Sequence, residues 1–274
     1  MHSNSLAGQP VDSIIEVRDL VKKFDGRAVL NGVNVGIPRG KITVIMGGSG
    51  CGKSTFLRHL IGLHQPTSGD ILFEGKNIAK MDRNGMDGVR RSFGMMFQGS
   101  ALFNSMTVGE NVAVPLREHT PLDESTIKII VKIKLELVGL TGFEHFYPHQ
   151  ISGGMKKRVA LARAIALDPK IVFYDEPGAG LDPITASMID QLILDLSRKL
   201  NMTSVVVTHE MKSAFRIADQ VIMLHKGKVL EVGSAQQIQN SSNAYVRQFI
   251  EGEPEGVIPF KQTSEAYLQG LLDS

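Results

Sequence analysis

Tryptophan is absent from this 274-residue chain, tyrosine occurs 4 times, and aromatic residues make up 6% of it. The core must therefore be built mainly from aliphatic side chains. A single cysteine, Cys51, rules out an internal disulfide and suits a reducing compartment. Long apolar runs are also missing, and none approaches the ~20 residues that span a bilayer. The polar start, MHSNSLAGQPVDS, has no basic stretch followed by an apolar one and does not read as a signal peptide. Nor is there an excess of charge. The 30 basic residues nearly cancel 28 acidic ones, and a net +2 is too small to argue for a nucleic-acid partner.

What is present is a 42% hydrophobic content and 28 glycines, enough for a real core with many tight turns. The length suits one large domain, or a domain carrying an inserted subdomain. Residues 1–12 read as a disordered lead-in. Short β-like runs then alternate with glycine turns: IIEVRDL, KITVIMG and DILFEG. The middle, about 100–165, reads as more helical. There DESTIKIIVKIKLELVGL fits both a strand alternation and one helix face. Its length, a cap at Asp123 or Ser125 and a stop at Gly139 favour the helix. Strand-like runs return in IVFYDE and TSVVVTH, and QVIMLHKGKVLEVG reads as a hairpin turning at Lys226-Gly227. Strands alternating with helices argue a mainly parallel α/β sheet with a helical insertion.

Two stretches point to anions. MGGSGCGKST, between an apolar run and a helical one, is Gly47-x4-Gly52-Lys53-Ser54. Its glycines let backbone N–H groups wrap a triphosphate; Lys53 is placed to reach the β- and γ-phosphates, and Ser54 to ligate Mg²⁺. The second stretch is ISGGMKKRVALARA. Ser152, Gly153 and Gly154 open a helix, and Lys156, Lys157 and Arg158 follow, so free N–H groups and positive charge gather at its start. That is half a phosphate site, a hundred residues from a complete one. Four further residues fit a nucleotide. IVFYDEP is a buried strand delivering Asp175, suited to the outer hold on Mg²⁺, and Glu176, suited to polarising an attacking water. His209 ends TSVVVTH and is placed for a γ-phosphate contact. Gln98, after the apolar strand in MMFQGS, is placed for Mg²⁺ and the water.

From about Ile14 to Gly233 these elements resemble, in order and spacing, the ATPase subunits of ABC transporters. GGSGCGKST matches the Walker A loop, Gln98 the Q-loop and ISGGM the signature. IVFYDE matches Walker B, GAGLD the D-loop, and THE the switch histidine. The resemblance implies a P-loop NTPase (RecA-like) core over 13–251, with an N-terminal antiparallel β subdomain and an inserted α-helical subdomain. It implies ATP and Mg²⁺, with Phe24 stacking on adenine. It further implies ATP contacts from Gly47, Gly48, Ser49, Gly50, Cys51, Gly52, Lys53, Ser54, Thr55 and Asp175. The metal would fall to Ser54, Gln98 and Asp175, and catalysis to Glu176, His209 and Gln98. In this family two subunits pack head to tail, so Ser152, Gly153, Gly154, Met155 and Asp182 would serve the partner's nucleotide. The half-site then makes sense in a C₂ homodimer.

The chain departs from the family pattern at three positions. Ile151 stands for Leu, nearly volume-neutral; Met155 stands for Gln and removes a polar side chain; Phe24 stands for the commoner Tyr. Met155, the stretch RRSFGMMFQGSALFNSMTVGENVAVPLREHT and the tail RQFIEGEPEGVIPF resemble the branch that serves phospholipid trafficking in Gram-negative envelopes. That branch implies an integral-membrane permease, a STAS-type regulatory subunit and a periplasmic lipid-binding subunit, with the ATPase held at the cytoplasmic face of the inner membrane. An importer of amino acids or other small solutes is the alternative within the family. A nucleic-acid or ribosome ATPase would carry two cassettes or a long coiled-coil insertion, and a P-loop kinase would not need ISGGM. The region after Gln98, including Leu102 and Phe103, is expected to meet the permease. The extension over 252–274 has three readings: a disordered end, a segment packed on its own chain, or a tail that crosses the dimer and docks Val257-Ile258-Pro259-Phe260 and a short helix capped by Ser264 on the partner.

Overall fold

The computed structural model describes residues 12–253 and 256–257. Apart from Asp12, the expected lead-in lies outside them. So do the docking segment from Ile258 onward and the expected terminal helix. The chain begins with β1 (Ser13–Phe24), β2 (Arg27–Pro38), β3 (Ile42–Met46) and α1 (Lys53–Leu60). Then come β4 (Ser68–Phe73), β5 (Lys76–Asn77), α2 (Arg83–Arg90) and β6 (Phe93–Met96). Three helices follow: α3 (Val108–His119), α4 (Glu124–Leu137) and α5 (Gly153–Ala164). The rest alternates: β7 (Ile171–Asp175), α6 (Pro183–Lys199), β8 (Thr203–Val207) and α7 (Met211–Ile217). A hairpin, β9 (Gln220–His225) and β10 (Lys228–Gly233), precedes α8 (Ala235–Gln239) and α9 (Ala244–Glu251).

A six-stranded sheet runs β10-β9-β3-β8-β7-β6. Its strands are parallel except for β10, which pairs antiparallel to β9. β3 and β8 are buried at every residue, as strands covered on both faces must be. Their alternation divides two cores. Val44, Met46, Val172, Tyr174 and Val206 face the helical side, and Ile45, Phe173, Val205 and Val207 face the other. That second core is closed by a separate four-stranded antiparallel sheet, β2-β1-β4-β5. The helical region of α3, α4 and α5 packs into the first. The ambiguous stretch is helix, capped by Asp123, whose carboxylate accepts from the N–H groups of Ser125 and Thr126. The hairpin turns at Lys226 and Gly227, both at positive φ (45° and 75°). No helix among the described residues is long and apolar enough to cross a membrane.

Candidate functional site

β3 is followed at once by Gly47, whose φ of 150° and close neighbours leave no room for a side chain. A Cβ there would sit 2.2 Å from the Leu224 carbonyl oxygen of β9 and 2.7 Å from Cys51 Sγ. The loop 48–52 then turns into α1, and Lys53 folds back, donating from Nζ to the carbonyls of Gly47 (2.7 Å) and Gly48 (3.0 Å). Ser54 and Thr55 occupy the first turn of α1. Cys51 departs from a general rule. A cysteine at a helix start ordinarily favours the thiolate, but Cys51 is 6% exposed, and its burial pushes the thiol up despite the pull of Lys53. It packs into the core under the β sheet. At the far end of the site Phe24 is 42% exposed, with Lys22 Nζ 4.9 Å from its ring centre and His64 against its edge.

The last residue of β7 is Asp175, partly buried; burial and then the Glu176 charge raise its pKa, against Arg58, Lys157 and Lys53. Glu176 follows at φ 48°, a left-handed backbone that a glutamate rarely adopts. Its N–H donates to Val207 O of β8 (2.9 Å), which fixes the turn. This turns the carboxylate to His209, whose Nδ1 lies 2.8 Å from Oε1. An ionised carboxylate only accepts, so Nδ1 carries the proton and donates. The structure thus joins two residues that the sequence places 33 apart. Gln98 lies just past β6, with an exposed side chain.

Ser152 caps α5, its Oγ accepting from Met155 N–H (3.2 Å), and Ser152 and Gly153 are exposed. Gly154 is buried, and a Cβ on it would lie 2.6 Å from Thr185 Cγ2 of α6. Asp182 caps α6: its carboxylate accepts from the N–H groups of Ile184 and Thr185 and from Thr185 Oγ1, and these bonds hold its pKa down. Signature and D-loop are therefore neighbours. Met155 packs partly buried against the helical core.

The positive charge expected at the start of α5 is turned elsewhere. Arg158 donates to the carbonyls of Val138 (3.3 Å) and Gly139 (3.0 Å) at the end of α4. Lys157 is 5% exposed and donates to the Gln98 carbonyl and, at 3.5 Å, to the Glu176 carbonyl. Burial depresses its pKa, while Asp175 and Glu176 favour its charged form. One signal pointed inward: Lys157 shares a helix face with Leu161 and Ala164. Two other contributors had no signal in the motifs. Asp190 of α6, 2% exposed, accepts from Ser213 Oγ (2.5 Å) and Arg216 (3.0 Å) of α7, the helix that follows His209. Tyr245 of α9 packs against His225 with ring centres 3.8 Å apart and planes tilted by 46°, and its hydroxyl would lie 3.4 Å from a Cβ on Gly48.

Beside Gln98 lies a groove of about 510 Å³, walled in part by Phe97, Phe103, Pro115 and Arg163. Phe97 and Phe103 are 41% and 49% exposed. Leu102, expected to face outward with Phe103, packs partly buried against the helical core.

A phosphate loop after a buried parallel strand, an acidic pair closing another and a histidine bonded to that pair define a P-loop ATPase of the cassette type. The chain belongs to the ABC transporter family, whose profile matches residues 30–179. It binds and hydrolyses ATP. It is 42% identical, over 95% of its length and 99% of the relative's, to the intermembrane phospholipid transport system ATP-binding protein MlaF of Haemophilus influenzae. To MlaF of Escherichia coli it is 43% identical over 96% of this chain and 98% of that one. A probable ribonucleotide transport ATP-binding protein, mkl of Mycobacterium bovis, is 40% identical over 98% of this chain and 76% of its own length. Among solved structures, the dimeric bacterial cassette MJ0796 superposes with a TM-score of 0.74 at 31% identity, over 81% of this chain and 98% of that one. Cassettes of this family dimerise and work with membrane permeases.

Proposed function

We propose that this chain powers phospholipid movement between the inner and outer membranes of a Gram-negative envelope. It works as a homodimer on the cytoplasmic face of the inner membrane, bound to an integral permease. The observation that carries the reading is the identity to MlaF proteins, end to end in both chains. The mkl relatives, named for ribonucleotide transport, extend well past the matched region. A STAS-type subunit and a periplasmic lipid-binding subunit complete the assembly that the branch implies.

In this reading the Glu176 carboxylate accepts a proton from the water that attacks the γ-phosphate. His209 holds the carboxylate by Oε1 and leaves the second oxygen for the water. Lys53 and the amides of 48–52 bind the phosphates, and Phe24 offers a ring face to adenine. Ser54, Gln98 and Asp175 supply a hydroxyl, an amide and one carboxylate. No group of three or more His, Cys, Asp or Glu able to hold a metal occurs among the described residues. Such a sparse, all-oxygen set with a single carboxylate fits Mg²⁺, which is held through one or two carboxylates and completes its shell with phosphate and water. Bound there, Mg²⁺ supplies charge neutralisation at the phosphates. Ser152 and Gly153, both exposed, together with the first amides of α5 and the Asp182 loop, serve the nucleotide of the second subunit. The apolar groove at Phe97 and Phe103 receives the permease.

Two measurements test this reading. Glu176→Gln retains ATP binding and loses turnover by about 10²-fold or more; near-normal turnover refutes the base. The purified transporter, rebuilt in vesicles, moves labelled phospholipid to an acceptor only with ATP and intact Glu176. ATP-independent transfer, or ATPase activity stimulated by ribonucleotides and not by phospholipid, refutes the substrate.

A further inference from the structure

We propose that Lys157 is a positioning residue for hydrolysis, its ammonium fastening the main chain at Gln98 and at Glu176 to the signature helix α5. The inference rests on reading Glu176 as the base and Gln98 as a ligand of the water and metal. Lys157 sits one turn into α5, is 5% exposed, and turns its charge inward. Its Nζ meets two carbonyls just past the ends of two neighbouring parallel strands, Gln98 after β6 and Glu176 after β7. An ammonium has three donors on a long stem, so one cation can hold both.

A second cation of the same helix acts on the same loop. Arg163 donates to Ser100 O and to Ala101 O, each at 2.7 Å. Ser100 and Ala101 stand at φ 62° and 48°. Non-glycine residues persist in that region only where their surroundings hold them. The segment 97–101 is thus pinned to α5 at its middle by Lys157 and at its end by Arg163. Lys157 alone continues to the backbone of the base, which is itself at φ 48°. A shift at the start of α5, where Ser152 and Gly153 face outward, is delivered through one side chain to the water-binding and proton-accepting groups together. The cation serves geometry; it takes no proton in the reaction.

The test uses the purified transporter complex with Lys157→Met, which keeps the stem and removes the donors, and Lys157→Arg, which keeps a cationic donor. Lys157→Met lowers kcat by about 10- to 100-fold, the scale of misplacing catalytic groups by an ångström, and leaves the KM for ATP within about threefold. In the nucleotide-free complex, hydrogen exchange quickens in 97–101 and 176–179 while the global melting point holds. Lys157→Arg recovers most of kcat and of the protection. Wild-type kcat in Lys157→Met, or a loss of kcat without faster exchange in those two segments, overturns the proposal. If Lys157→Met does not fold, Lys157→Gln, whose shorter amide reaches one carbonyl at most, is read by the same criteria. Glu176→Gln is run beside them. An active Glu176→Gln removes the underlying reading, whereas an inactive Glu176→Gln beside an active Lys157→Met removes only the strut.

Discussion

Replacing Gly154 with alanine separates packing from phosphate contact in the signature. The added Cβ would lie 2.6 Å from Thr185 Cγ2. Carbon atoms pack at about 3.5–4.0 Å, so the overlap is about 1 Å. Overpacking of this size costs about 1–3 kcal/mol. Alanine returns up to about 1 kcal/mol through its better helix propensity, less in a first turn. With about half of that gain realised in a first turn, the clash wins by about 0.5–2.5 kcal/mol and lowers the melting point by roughly 1–10 °C for a domain of this size. Adding Thr185→Ser deletes the offending methyl and keeps the hydroxyl that bonds Asp182. The double variant therefore returns to within about 0.5 kcal/mol of the parent. Because the new Cβ points into α6, ATP turnover returns with stability. Thermal unfolding and ATPase rate on the same preparations decide the matter. A Gly154→Ala protein as stable as the parent, or a double variant that stays unstable, refutes the packing argument. A double variant that is stable and inactive assigns Gly154 to the nucleotide. At Gly153 a Cβ would meet only Leu181 Cδ2, at 3.6 Å, so Gly153→Ala does not lower the melting point and raises it by a few degrees at most.

Three further outcomes follow from charge and burial. Burial and the Glu176 charge raise the Asp175 pKa in the folded chain, so its stabilising share is complete below the unfolded carboxylate value and is lost as pH rises past the folded one. Asp175→Asn thus melts higher than the parent at pH 7.5 without nucleotide, converges with it near pH 4, and has no turnover; a lower melting point at pH 7.5 contradicts this. Arg216→Ala leaves the buried Asp190 carboxylate with Ser213 alone and costs about 1–3 kcal/mol. Asp190 is already raised by burial and loses a partner that lowers it, so denaturant titrations show a larger loss at pH 8 than at pH 5. Cys51, buried with its thiol pKa raised, reacts with a maleimide at pH 7 at least about tenfold more slowly than free glutathione; labelling at the glutathione rate places the thiol outside.

Much of this was legible because it is local. Apolar runs at 171–174 and 205–207 announce buried strands, and Asp123 and Gly139 bracket α4. The phosphate loop is a matter of residue type and spacing alone. β2 was not legible as a strand in its own right. Its RAVLNGVNVGIP carries asparagine and glycine among the apolar positions, and its pairing with β1 slips register several times. Only the resemblance implied an antiparallel subdomain there. Charge direction was also hidden. Lys157 and Arg158 follow the glycines in sequence, yet a helix sends consecutive side chains about 100° apart. Burial overruled the helix-start rule at Cys51. The Glu176–His209 bond needed the sheet, since β7 and β8 are neighbours only once folded.

The bond network at Asp190 has an evolutionary consequence. Asp182 opens α6, Asp190 lies two turns along it, and Ser213 and Arg216 hold that carboxylate from α7, just beyond His209. The D-loop and the histidine are therefore carried on one rigid piece. Neither can be retuned alone. A substitution that re-aims His209 by shifting α7 drags the Asp182 turn with it, and one that shortens or rotates α6 re-aims the histidine. Lineages that alter the spacing on one side of the pair should carry a matching change on the other, so that Asp190, Ser213 and Arg216 are kept or lost as a set.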